Sequence, residues 1–96
     1  MPKKSKKSTK KRRVISVRER NLGREKAMGL AHFDYYGENK NLIEVDPRQS
    51  SKDYLDTLIH EALHVMFPDM TEAEVVKHSS RLARLVWRQG YRRIQD

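Results

Sequence analysis

The sequence predicts a small α+β domain, in which two or three antiparallel strands pack on a helix carrying His60, Glu61 and His64, and a second helix closes the chain. Three observations predict it. Two strand-like runs, GLAHFDYY and NLIEVDP, flank the turn-rich GENKN. After SSKD, Ser50 to Asp53, the apolar period changes from two to about 3.6. The last segment opens on Thr71-x-x-Glu74, the capping box in which each side chain satisfies a backbone N–H at a helix start.

Taken in order, VISVR (Val14 to Arg18) alternates and suits either a short strand or the opening of an irregular lead-in. NLGREKAMG follows, and its glycines suggest a turn with at most one helical turn. The runs Gly29 to Tyr36 and Asn41 to Pro47 then form a hairpin, which Pro47 ends because it has no N–H to give a ladder. Ser51 or Asp53 is expected to cap the next helix, on which Tyr54, Leu55, Leu58, Ile59, Ala62, Leu63 and Met66 recur at helical spacing until Pro68. On the second helix Val75, Ser79, Leu82 and Val86 make one stripe, and Lys77, Arg81, Arg84 and Arg88 make another about 200° away. One face packs. The other is cationic, either as a solvated back or as a surface for phosphate. Gly90 closes the helix.

Charge divides the chain. Residues 1 to 13 hold eight of the 21 Lys and Arg, namely Lys3, Lys4, Lys6, Lys7, Lys10, Lys11, Arg12 and Arg13, and none of the 13 acids. Such a run cannot repay the entropy of ordering, so a disordered basic tail is expected ahead of a charge-balanced domain over residues 14–96. The tail suits non-specific nucleic-acid binding through counterion release, or simply solubility. With Cys 0, disulfides and thiolate metal sites are excluded, and an intracellular, cytoplasmic setting is expected. No apolar run approaches the roughly 20 residues that span a bilayer, so no membrane partner is expected.

The chemistry is concentrated in TLIHEALHVMF. Residues i and i+4 project from one helix face, so His60 and His64 can offer two imidazoles to one tetrahedral zinc. Glu61, about 100° round the helix, is poorly placed as a ligand and suits a general base acting on a zinc-activated water, which is the chemistry of amide hydrolysis. A catalytic zinc usually takes a third protein ligand. Relative to the packed stripe of the second helix, Glu72 lies about 50° to one side and His78 about 70° to the other, while Glu74 is taken up by the capping box. Depth along the helix favours His78; Glu72 sits nearer the connection. His32, on a strand, is a weaker candidate.

With LDTLIHEALHVMFPDM and the basic helix ending WRQGYRR in view, the chain resembles the short HExxH zincin-like metallopeptidases of bacteriophages and prophages, and more distantly the SprT and Spartan class. The similarity covers roughly Gly29 to Arg93. It implies a minimal zincin-like domain, zinc on His60 and His64, general-base work for Glu61, a protein or peptide substrate, and the cytoplasm of a phage-infected host as the setting. The phage-type pattern implies an acid at the position of Glu72, whereas the Spartan-like pattern uses a histidine after the motif helix. Two functions follow as expectations: a zinc peptidase held near nucleic acid by its tail, or a nucleic-acid-binding accessory protein whose zinc is structural or absent.

Overall fold

The computed structural model describes residues 14–94, so the expectations for the tail from Lys3 to Arg13 lie outside the described residues. Strands β1 (Val14–Glu19), β2 (Gly29–His32) and β3 (Lys40–Val45) precede helices α1 (Ser51–Met66) and α2 (Glu72–Arg88). The α+β class is as expected. The sheet order is β1-β3-β2, with β2 antiparallel and β1 parallel to β3, so the sheet is mixed rather than antiparallel.

The parallel pairing has a simple geometric origin. Glu19 and Gly29 both lie opposite Val45, on its two sides, so residues 20–28 need only pass over the end of β3. That crossing is pinned by Arg20 N–H donating to the Val45 carbonyl, and by Asp46 N–H donating to that of Met28. Within it, Leu22 is fully buried and donates its N–H to the Asp46 carboxylate at 2.9 Å. β2 is shorter than the run Gly29 to Tyr36 suggested. At Asp34 the backbone turns to φ 54°, and its N–H is taken by the Asn41 side chain. Phe33, Tyr35 and Tyr36 consequently leave the sheet and are exposed.

Three layers result: sheet, α1, then α2. One sheet face gives Ile43 and Val45 to a core with Tyr54 and Val65, joined by Ile15, Ala31, Leu58 and Ala62. Burying each of the larger aliphatic side chains contributes roughly 1.5–3 kcal/mol. Ser50, not Ser51 or Asp53, caps α1 by accepting the Asp53 N–H. Thr71 and Glu74 form the expected capping box on α2. At its other end Gly90, at φ 90°, permits the Schellman pattern in which Gly90 N–H reaches the Trp87 carbonyl and Tyr91 N–H that of Val86. α2 packs on α1 through Val75, Ser79 and Ala83, whereas Leu82 is 42% exposed. The buried sector is therefore rolled toward Glu72 from the stripe that the spacing suggested. Among the described residues no helix is long and apolar enough to cross a membrane.

The far sheet face has no helix on it. Its central residue, Glu44, is 1% exposed and is enclosed by charge instead: Arg18 and Arg20 both donate to its carboxylate, and His32 Nε2 lies 2.9 Å from Oε1. A carboxylate only accepts, so His32 is the donor there. Chiefly through Arg20, and against the opposing effect of burial, the Glu44 carboxyl is held well below the usual carboxylate range. Asp46 is held down likewise, chiefly by Arg48. Both folded values lie below the unfolded ones, so between them the unfolded chain binds more protons and stability rises with pH. The expected outcome is full stability above about pH 5 and a progressive loss in more acid solution, read as a falling urea midpoint between pH 7 and pH 3. Glu44→Gln should flatten that slope; a midpoint independent of pH would contradict the role given to these two acids.

Candidate metal centre

α1 lies on the sheet through one face, and a neighbouring face turns His60 and His64 toward the start of α2. The two rings stand 4.9 Å apart between centroids, inclined at 71°. Glu72, the first residue of α2, places Oε2 3.2 Å from His60 Nε2 and Oε1 2.9 Å from His64 Nε2. Donor atoms of the three residues lie within 4.8 Å of one another. Tetrahedral zinc, with bonds of about 2.0–2.2 Å, needs donors roughly 3.3 Å apart, which is close to the two histidine–carboxylate separations. The histidine side chains are half-buried, at 23% and 28% exposure, and Glu72 is open at 66%, which leaves room for a small ligand beside it.

His78 is not part of this group. It is exposed on the side of α2 away from the packed sector, because that sector is centred toward Ser79 and Ala83. His32 is occupied by Glu44 on the opposite face of the sheet. Of the residues read from the sequence as ligands, the fold thus brings together His60, His64 and Glu72.

Glu61 sits beside the group and belongs to the sheet-facing side of α1. A side chain at Gly29 would collide with this wall of the helix, since an ideal Cβ there would lie 2.6 Å from Thr57 Cγ2, 2.9 Å from Glu61 Cγ and 3.2 Å from Glu61 Oε2. Burial raises the Glu61 pKa, with His60 and His64 opposing it. The carboxylate opens onto a groove of about 370 Å³ lined by Met28, Gly29, Gln49, Thr57 and His60, with Asp53 and Asp56 at its far end.

Gln49 and Thr57, which no motif marks, set the helix at this height. The Thr57 hydroxyl donates to Gln49 Oε1 at 2.8 Å, and Gln49 Nε2 donates to the carbonyls of Asp46 at 2.8 Å and Met28 at 3.3 Å. The first turns of α1 are thereby tied to the ends of β2 and β3. A glycine opening a strand beside a helix was the available signal for this close approach.

Comparison with models of protein families, with curated proteins and with solved structures finds no match to this chain. The chemistry of the site therefore stands on its own residues.

Gly29→Ala tests the close approach. The added methyl meets Thr57 closer than real Cβ atoms pack, so a loss of about 1–3 kcal/mol in urea unfolding is expected, the usual cost of overpacking. Unchanged stability would mean that the helix is free to move outward.

Proposed function

We propose that this protein is a zinc-dependent peptidase with His60, His64 and Glu72 as metal ligands and Glu61 as general base. The observation that carries the reading is the convergence of two imidazole nitrogens and a carboxylate oxygen within 4.8 Å, next to a partly desolvated glutamate that opens on a groove. The resemblance of the TLIHEALH segment to phage zincins supports the same assignment. In the ligand set Glu72 faces both histidines, and a cation would be held among the three.

When bound, zinc supplies a water of lowered pKa and polarises the carbonyl under attack. The remaining work belongs to the chain. Glu61 accepts the proton that the attacking water loses and, as a carboxylic acid, delivers it to the departing amine. Burial favours its protonated form and so suits the second half of that task. Gly29 leaves the groove clear of a side chain at the outer edge of β2, where unpaired backbone groups can hold an extended peptide as a further strand. Lys3, Lys4, Lys6, Lys7, Lys10, Lys11, Arg12 and Arg13 would keep the enzyme on nucleic acid, so that nearby proteins become its substrates.

The expected behaviour is one zinc per chain by mass spectrometry under native conditions, with metal uptake lost in Glu72→Ala and retained in His78→Ala. In a peptide-cleavage assay Glu61→Gln should keep its zinc and lose activity by roughly 100-fold or more, the usual contribution of a general base. Zinc uptake that survives Glu72→Ala, or cleavage undiminished in Glu61→Gln, would overturn the assignment of that residue.

A further inference from the structure

The charge on α2 is one-sided in a way that neither the fold nor the proposed reaction uses. From Val75 to Ile94 there is no acid, while Lys77, Arg81, Arg84, Arg88, Arg92 and Arg93 all fall in this stretch. The last two have partners within the fold. Arg92 donates to the carbonyls of Trp87 and Tyr91 and stacks 3.5 Å over the Trp87 ring, and Arg93 pairs with Glu19. The other four are exposed, and among the described residues none forms an ion pair.

Helical geometry places Lys77, Arg81, Arg84 and Arg88 within about 60° of one another, along a ridge of roughly 16 Å. The ridge points away from the sector that packs on α1, which is centred on Val75, Ser79 and Ala83. Because α2 is the outermost layer, nothing else of the described fold covers it. Ser80 and the exposed Leu85 flank the ridge, and the acid at its start, Glu74, is tied to the Thr71 N–H, so the long side chains of the four cations extend past their neighbours.

We propose that this ridge is a docking surface for the phosphate backbone of duplex DNA, independent of the N-terminal tail. Guanidinium groups bind phosphate through paired N–H donors, and three of the four cations are arginines. A row of four cations along one helix face meets the dense negative charge of a duplex, where neutralised phosphates release their counterions. Single strands are bound largely by stacking on aromatic side chains, and the aromatic among these four, Trp87, has its ring covered by Arg92. Insertion into a bilayer surface needs a continuous apolar stripe beside the cations, and here Leu85 is the large apolar side chain that adjoins them. Since the ridge and the groove beside Glu61 lie on different sides of the molecule, DNA held there leaves the groove open.

The test is binding of the full chain to a short DNA duplex across a salt series, comparing wild type with Arg81→Ala/Arg84→Ala/Arg88→Ala. Alanine favours the helix, and circular dichroism with thermal melting checks that the fold is kept. Loss of three phosphate contacts should lower the slope of log K against log salt by about 2.7 and weaken binding roughly 100-fold at 0.1 M salt. Should the triple variant not fold, Arg84→Gln alone should lower the slope by about 0.9. Equal affinity and slope in the variants would overturn the proposal and leave DNA binding to the tail. Tighter binding of wild type to anionic vesicles, or to single strands, than to the duplex would overturn it as well. Glu61→Gln should bind DNA as wild type does, so this result and the peptidase assay can fail separately.

Discussion

The close approach of α1 to β2 at Gly29 is the constraint on which the remaining structure depends. With no side chain at Gly29, Thr57 and Glu61 can lie against the strand, and that contact fixes both the height and the roll of the helix. Successive residues on a helix differ by about 100°, so once Glu61 faces the sheet edge, His60 is turned off the sheet and His64 stands one turn beyond it. The short connection from Phe67 to Thr71 then brings the first residue of α2 up to the two imidazoles. Roll α1 by one residue and the histidines lose Glu72.

A small domain has few ways to secure such a contact, and here buried acids do much of it. Glu44 and Asp46 stand near the end of the central strand, and each is fully enclosed by donors. Glu44 ties β1 and β2 to β3 across the sheet face that no helix covers. Asp46 holds the crossing segment through Leu22, and its carbonyl accepts from Gln49, which in turn accepts from Thr57. The site is thus reached from the strand end by a continuous hydrogen-bonded chain. Removing one partner would leave a buried charge without its donors, so the network resists piecemeal change.

Much of this was legible in the sequence where the signal is local. The change of period after SSKD, the Thr71-x-x-Glu74 box and the terminal Gly90 mark the two helices, and the His60 to His64 spacing places two imidazoles together with no knowledge of the fold. What depends on partners was not legible. Alternation in VISVR identifies a strand but says nothing of which strand it joins, so the parallel pairing of β1 was missed. Leu42 and Glu44 are buried on the face opposite the helices, because side chains and loops cover that face, a circumstance that periodicity cannot register. The choice between Glu72 and His78 turned on whether Leu82 or Ala83 packs inward, a rotation of about 100° on a helix whose apolar residues permit both.

The central claim is the proposal that His60, His64 and Glu72 are the three protein ligands of a zinc whose fourth position is left to water, with Glu61 standing outside the set. X-ray absorption at the zinc edge, recorded on the full chain loaded with one equivalent of metal, tests that set most directly. The account predicts about two imidazole nitrogens and low-mass oxygen donors at about 2.0–2.2 Å, a spectrum unchanged in Glu61→Gln, and one imidazole fewer in His64→Ala. A shell without imidazole scattering, or one that changes when Glu61 is replaced, would contradict it.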